Sequence, residues 1–183
     1  GGKKDYEGGR NVNVHLGCWK RNIPGFINVD LYNAPHIQYK RDVRDLSIFE
    51  DESAELIYAS HVLEYFDRDE VKVVLKEWRR VLCKHGTLRL AVPNYRTLVQ
   101  VSMTEGLDKI LGPLYGKMEI NGSYIYHKTV YDFASLKKVL EEAGFGNIRK
   151  YDWRQLIHKD YDDHSQAYFP HMDKEHGILL SLN

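Results

Sequence analysis

The sequence predicts an α/β fold built on a mostly parallel sheet that is covered on both faces, and two observations lead there. Short segments rich in β-branched and other apolar residues recur along the chain, and most of them end at a glycine, an acid or a proline. Other segments carry apolar residues at helical spacing. Strands that alternate with helices favour a parallel sheet, in which ligands bind beyond the carboxyl ends of the strands.

The individual elements follow from periodicity and from turn residues. We predict strands at residues 11–16, 25–31, 36–42, 54–59, 87–92, 147–153 and 177–182. One helix is predicted from Asp67 onward, capped by Asp67 or Asp69, with inward residues Val71, Val74, Leu75, Trp78, Val81 and Leu82. A second helix is predicted from Asp132 to Ala143. Residues 94–118 are expected to be mixed and largely helical, with breaks at Gly106 and at Gly112-Pro113.

Length and composition predict one domain over residues 1–183, with a loose polar arm at residues 1–10. Lys+Arg and Asp+Glu balance at 26 each, so we expect neither nucleic acid nor an anionic membrane as a partner. There is no apolar run of about 18 residues, which argues against a membrane span. The polar start lacks the apolar stretch of a signal peptide, and two cysteines are too few for a disulfide framework. We therefore expect a cytoplasmic location, and the sequence does not reveal the oligomeric state.

Several motifs at the predicted strand ends resemble those of one enzyme family. They are residues 14–18 with 24–31, residues 42–46 followed by 53–64, residues 77–82 with 86–90, and residues 131–145. In this order and spacing they resemble the class I S-adenosylmethionine (SAM)-dependent methyltransferases, within their type-11-like group. The resemblance implies a Rossmann-like, doubly wound, seven-stranded and mostly parallel sheet, with the first strand central and the last strand antiparallel. It also implies an enzyme whose cofactor is SAM.

The same resemblance assigns the cofactor-binding positions. They are Gly17, Cys18, Asp30, Leu31, Asp42, Val43, Ser60 and His61. A glycine after the first strand lets backbone N–H groups approach a ligand carboxylate. The carboxylate of Asp30 suits the two ribose hydroxyls, Asp42 suits the adenine amino group, and Ser60 and His61 would line the sulfonium pocket. Asp30 as a helix cap or loop acid, Asp42 as a turn residue, and an ordinary loop at Ser60 remain the alternatives.

The chain departs from the family pattern at three places. Trp19 stands where the family's Gly-x-Gly loop has its second glycine, and His15 stands where many members have an acid or Asn. The turn from Cys83 to Gly86 replaces the usual Lys-Pro-Gly-Gly. Trp19 either turns outward and covers the cofactor as a lid, or it fills the cofactor's place. The second case predicts a pseudo-enzyme that keeps the fold and has lost SAM binding.

A hydroxyl acceptor for the methyl group benefits from a general base, and His61, His127 and His158 are the candidates. Tyr124, Tyr126, Tyr131 and Trp153 are candidates for the walls of an acceptor pocket, although aromatic packing explains them equally well. For the acceptor itself, the resemblance points to a small molecule or a sugar.

Two other enzyme classes remain as alternatives. Histidines and acids in the tail, with His158, His164, His171 and His176 among them, suggest a metal-dependent hydrolase, but their spacing matches no standard zinc site, so we expect no metal. A dehydrogenase is the other alternative, and the absence of Gly-x-Gly-x-x-Gly after the first strand argues against it.

Overall fold

A central six-stranded sheet forms the frame of the protein, in a computed structural model that describes residues 11–183. The strands are β1 (Val12–Leu16), β2 (Phe26–Asp30), β3 (Tyr39–Lys40), β4 (Ala54–Ser60), β5 (Leu82–Pro93) and β10 (Ser181–Leu182). Their order across the sheet is β10-β5-β4-β1-β2-β3, so β1 is interior as predicted. Neighbours from β3 to β5 are parallel, and β10 pairs antiparallel with β5. The arm expected at residues 1–10 lies outside the described residues.

The remaining elements surround this sheet. The helices are α1 (Glu70–Val81), α2 (Tyr95–Glu105), α3 (Leu111–Tyr115) and α4 (Phe133–Glu142). Two small hairpins are formed by β6 (Met118–Ile120) with β7 (Ser123–Ile125), and by β8 (Tyr168–Phe169) with β9 (Ile178–Leu179). Single 3₁₀ turns occur at Leu63–Tyr65, Leu107–Lys109, Trp153–Gln155 and His164–Gln166. No helix within residues 11–183 has the length and apolar character needed to cross a bilayer.

The predicted count of seven strands is wrong, because residues 147–153 form no strand. Asn147 is in the left-handed region, at φ 54°, and Trp153 begins a 3₁₀ turn, so the segment has no continuous extended backbone. Tyr151 tethers the segment: its N–H donates to the Asn183 carbonyl just after β10, and its hydroxyl donates to the Leu90 carbonyl of β5. The expected strand at 177–182 is divided into β9 and β10, and only β10 joins the main sheet.

Helix boundaries follow the predicted capping chemistry with one exception. The Asp67 carboxylate accepts the N–H groups of Asp69 and Glu70 ahead of α1, and Asp132 forms a capping box with Ser135 at the start of α4. Gly106 ends α2 as expected. Gly112-Pro113 does not interrupt a helix but lies within α3. Pro113 is in the first turn, where the missing N–H of a proline removes no helical hydrogen bond.

The two faces of the sheet differ in chemistry. Alternate residues of β1 and β4 enter the main apolar core, which α1 and α4 complete; examples are Leu16, Ile57, Trp78 and Leu140. The other face carries a polar row across four strands, formed by Asn28, His15, Tyr58 and Arg89 in register. Residues 158–165 meet this row at Tyr58, where His158 stacks on the ring and the Asp163 carboxylate accepts the hydroxyl hydrogen. The C-terminal segment therefore covers the second face at Tyr58.

Candidate active site

The residues that follow β3, β2, β1 and β4 meet at one edge of the sheet, because these strands are adjacent and parallel. All eight predicted cofactor positions lie at the ends of these strands or in the loops directly after them. The loops after β1 and β4 touch. Gly17 has φ +63°, and a Cβ at this position would overlap the side chain of Val62. A glycine is therefore required at Gly17 both for its conformation and for close packing.

Two main-chain hydrogen bonds hold the carboxylate of Asp30 in place. Its carboxylate accepts the Trp19 N–H at 2.7 Å through Oδ2 and the Tyr32 N–H at 2.8 Å through Oδ1. The side chain is nearly buried, with 8% of the residue exposed. No helix begins after Asp30, so the alternative of a helix cap is wrong. Each carboxylate oxygen still has a free lone pair, so the group remains able to accept hydrogen bonds from a diol.

Trp19 lies beside Asp30 in a left-handed conformation, at φ 46°. Its carbonyl accepts the Nε2–H of His36 at 2.7 Å, which fixes the loop. The indole meets the Tyr32 ring edge-on at 6.4 Å, and the Lys20 ammonium lies 4.6 Å from its centroid. The indole is partly exposed and packs among groups at the surface of the loop.

The neighbours of Trp19 and Asp30 have distinct environments. The Cys18 thiol is buried, and burial together with the nearby Asp30 charge raises its pKa to about 12. Cys18 is therefore a neutral thiol and not a nucleophile. Leu31, in contrast, presents an exposed apolar side chain at the end of β2.

Asp42 and Val43 follow β3. The Asp42 carboxylate forms an ion pair with Arg44 at 2.6 Å and accepts the Arg44 N–H, which is the turn-forming arrangement. Burial alone would raise the pKa of Asp42, but the hydrogen bonds and charge of Arg44 outweigh it and lower that pKa. The Val43 carbonyl accepts the indole N–H of the buried Trp78 at 2.9 Å, so α1 anchors this loop.

Two of the three candidate bases meet around a residue that the sequence analysis missed. Glu64 is fully buried, with its Oε1 at 3.3 Å from Nδ1 of His61 and at 3.7 Å from Nε2 of His127. His61 has φ 55°, and non-glycine residues held in this region are often functional. We call His61, Glu64 and His127 the His–Glu–His cluster. The signal for Glu64 was an acid inside the otherwise apolar segment 62–66.

Main-chain contacts bring His127 to the cluster. The N–H of Lys128 donates to the Glu64 carbonyl at 2.8 Å, and the His127 N–H donates to the Tyr115 carbonyl at 2.9 Å. Gly116 follows at φ +65°, and a Cβ there would come within 2.6 Å of the His127 ring. The end of α3 is therefore shaped around the imidazole.

His158, the third candidate base, lies on the polar face of the sheet and has no ion-pair contact with Glu64 among the described residues. Its ring is fully buried and stacks on Tyr58 at 4.1 Å, and burial lowers its pKa to about 4. His15 lies in the same row and, for the same reason, has a pKa lowered to about 4. Both imidazoles are therefore neutral at pH 7.

The candidate wall residues also separate. Tyr131 is buried near Glu64, and burial followed by the Glu64 charge raises its pKa. Trp153 is buried and donates its indole N–H to the hydroxyl of Tyr168. Tyr124 and Tyr126 are largely exposed. Of the four, Tyr131 is the one that joins the His–Glu–His cluster.

The tail histidines do not assemble. His164 lies against His61, His176 lies beside Asp173, and His158 stacks on Tyr58. Across residues 11–183, no group of three or more His, Cys, Asp or Glu side chains is placed to hold a metal ion. The geometry therefore does not support the hydrolase alternative.

A separate groove runs along the part of β5 that β10 leaves unpaired, on the side where the predicted strand 147–153 is missing. Its lining includes Lys84, Arg89, Arg149, Lys150 and a single acid, Asp152. The groove does not contain the eight cofactor positions or the His–Glu–His cluster.

Comparison with known proteins gives one family and one fold. Residues 25–90 match the family model described as a methyltransferase domain. A putative SAM-dependent methyltransferase from Listeria monocytogenes is 14% identical with a TM-score of 0.55, covering 95% of this chain and 89% of that one. A SAM-dependent methyltransferase from Clostridium acetobutylicum is 16% identical with a TM-score of 0.54, covering 78% and 76%. No curated protein sequence matched the chain.

A third similar structure contains ligands. It is the 1,6-didemethyltoxoflavin-N1-methyltransferase of Burkholderia thailandensis with bound 1,6-didemethyltoxoflavin and S-adenosylhomocysteine. It is 13% identical with a TM-score of 0.52, and the alignment covers 78% of this chain and 64% of that one. At these identities the structures establish the fold, and the family model matches residues 25–90 within it. The chain therefore has the fold of solved SAM-dependent methyltransferases, and about a third of it matches a methyltransferase domain.

Proposed function

We propose that this chain is a SAM-dependent methyltransferase that acts on a small-molecule acceptor and holds SAM at the edge where β3, β2, β1 and β4 end. The observation that carries the proposal is the Asp30 carboxylate, fixed by two main-chain N–H groups at the meeting point of the β1 and β2 loops. A carboxylate that is already oriented accepts ribose hydroxyls with little further ordering, which favours binding.

The other predicted positions complete this proposed cofactor site. Gly17 and Cys18 offer main-chain N–H groups to a ligand carboxylate, as glycine loops do. Leu31 and Val43 offer apolar contact, and Asp42 offers an acceptor for the adenine amino group. Ser60 supports the fit most directly, because its buried hydroxyl has no hydrogen-bond partner within the described part of the chain. A buried hydroxyl in that state favours a ligand that would satisfy it.

When bound, SAM supplies a methyl group on a positively charged sulfur, which departs as the neutral thioether of S-adenosylhomocysteine. The chain's own contribution is to orient the reactants and to handle the acceptor's proton. His61 follows Ser60 directly, so the His–Glu–His cluster adjoins the proposed cofactor site. We assign the proton-handling role to His61 and His127. His158 is not retained, because its ring is fully buried against Tyr58.

A small-molecule acceptor is supported by the Burkholderia enzyme, whose structure contains such an acceptor. A sugar remains within this proposal, since its hydroxyl groups are protic acceptors of the same kind. The pseudo-enzyme alternative gains no support from Trp19, whose indole is partly exposed and lies against Tyr32 and Lys20.

The proposal is tested by calorimetry of S-adenosylhomocysteine binding to the wild type and to Asp30→Ala. Hydrogen bonds to a charged group contribute about 1.5–3 kcal/mol, so the variant should bind about 10- to 150-fold more weakly. Asp162→Ala, at an exposed acid outside the proposed site, is the matched control and should bind as the wild type does. Equal affinity of Asp30→Ala and the wild type would refute the assignment of Asp30. Since Asp30 also holds the loop, thermal unfolding without ligand must show that the variant is folded.

A further inference from the structure

The starting observation is a buried carboxylate without a partner. Glu64 is 0% exposed, and neither of its oxygens has a hydrogen-bond partner within residues 11–183. No lysine or arginine forms an ion pair with it in the same range, and its two ion-pair contacts are to His61 and His127. An ionised carboxylate in this state is costly, so the cluster must supply a proton or a charge.

The hydrogen bonds around His61 fix which of its nitrogens carries hydrogen. The Asn183 amide nitrogen donates to the Ser165 carbonyl at 2.9 Å, so the Asn183 Oδ1 is an acceptor. Ser181 donates its hydroxyl hydrogen to that Oδ1 at 2.7 Å. The Ser181 Oγ can then only accept from Nε2 of His61, 3.1 Å away. Nε2 of His61 therefore carries a hydrogen. When the ring is neutral, its Nδ1, which faces Glu64, is unprotonated.

The same reasoning holds for His127 through a different acceptor. Its Nδ1 lies 3.2 Å from the Leu114 carbonyl, and a carbonyl can only accept. Nδ1 of His127 therefore carries the hydrogen, and Nε2 is unprotonated when the ring is neutral. This Nε2 also faces Oε1 of Glu64.

If Glu64 were ionised and both rings neutral, the carboxylate would face two unprotonated ring nitrogens. The lone pairs of these groups would repel one another. One additional proton removes that conflict, whether it resides on the carboxyl group or on one of the imidazoles. We propose that Glu64, His61 and His127 hold one shared proton at neutral pH, and that Glu64 is the positioning residue of a proton-handling cluster beside the site of methyl transfer. The role in methyl transfer rests on the proposed function, whereas the shared proton does not.

The surroundings of the cluster are consistent with a single shared proton. The Tyr65 ring meets His127 edge-on at 4.8 Å, and the His164 ring lies 5.4 Å from His61. Burial, followed by the Glu64 charge, raises the pKa of Tyr65 to about 12 and also raises that of Tyr131. Both phenols therefore stay neutral. Burial lowers the pKa of His127 against the opposing effect of Glu64, so burial disfavours a second proton on the His127 ring.

This arrangement indicates a class of acceptor. The cluster has three basic sites and one shared proton, so it can take up a second proton. Removing a proton from a hydroxyl or an N–H acceptor requires a base of this kind. In that step the O–H or N–H bond breaks, its electron pair stays on the acceptor, and the proton adds to an imidazole nitrogen of the cluster. The inferred substrates are therefore small molecules methylated on oxygen or nitrogen.

The shared proton is tested by NMR on the full chain, with ¹⁵N in the histidine rings and ¹³C in the glutamate carboxyl groups, at pH 7.5. In the wild type we expect either a protonated Glu64 carboxyl signal or one ring with both nitrogens protonated. In Glu64→Gln, whose amide can donate to a bare nitrogen, both rings should be neutral. Glu141→Gln, at an exposed glutamate, is the control and should leave both ring signals unchanged.

The wild-type spectrum decides the proposal even if Glu64→Gln does not fold. An ionised Glu64 beside two neutral rings would overturn it. Binding of S-adenosylhomocysteine to the wild type tests the proposed function separately. A shared proton without such binding would refute methyl transfer and leave the assignment of the cluster intact.

Discussion

Two buried histidines on the polar face of the sheet should make this protein sensitive to acid. His15 and His158 are almost fully buried, and burial lowers the pKa of each from 6.5 to about 4. Between these two values the unfolded chain binds protons that the folded chain does not bind. The stability that these two neutral histidines contribute is therefore fully present above pH 6.5, and it is lost as the pH falls toward 4.

The magnitude follows from the size of the two pKa shifts. Each histidine should contribute about 3 kcal/mol of pH-dependent stability in total, of which about 2 kcal/mol is lost by pH 5. Native domains are stable by roughly 5–15 kcal/mol, so the loss of both contributions is a large share. Urea unfolding followed at pH 7, 6, 5 and 4.5 measures it.

A variant assigns the effect to one ring. His158→Phe keeps an aromatic ring against Tyr58 and removes the titrating group, so the stability difference between pH 7 and pH 5 should shrink by about 2 kcal/mol. His85→Gln, at an exposed histidine, should leave that difference unchanged. The reasoning is refuted if His158→Phe and the wild type lose the same free energy of unfolding over this range.

Three further substitutions test other parts of the account. Trp78→Ala should cost about 3–5 kcal/mol in chemical unfolding, since it empties a fully buried site and releases the Val43 carbonyl; a cost below 1 kcal/mol would contradict this. If the Trp19 indole is a lid, Trp19→Gly should bind S-adenosylhomocysteine with an affinity similar to or lower than that of the wild type. If the variant binds this ligand and the wild type does not, the indole blocks the site. Gly116→Ala should shift the ring signals of His127 in NMR spectra, because its Cβ would come within 2.6 Å of that ring, and unchanged signals would contradict the packing.

Strand positions were predictable where local pattern and burial agree. The alternation in residues 11–16 and the apolar run in 54–59 give β1 and β4 within a residue or two. Residues 147–153 misled because Tyr151 and Trp153 look like strand residues. Whether a segment pairs depends on a neighbouring strand, which periodicity does not report.

The candidate site was predictable to a similar degree. Its cofactor positions follow strand ends, so the order of strands was enough to bring them together. Glu64 was missed because its role depends on His127, which the chain brings to it only after α2, α3 and a hairpin. The burial of His158 could not be predicted, because it depends on Tyr58, a contact between distant segments.

The central claim is that SAM binds where the loops after β1 and β2 meet, with Asp30 on the ribose. A crystal structure of the protein with S-adenosylhomocysteine tests it most directly. The account predicts the ribose hydroxyls within hydrogen-bond distance of the Asp30 carboxylate and the homocysteine end toward Gly17 and Ser60. Density for the ligand at another place, or crystals that take up none at a saturating concentration, would contradict it.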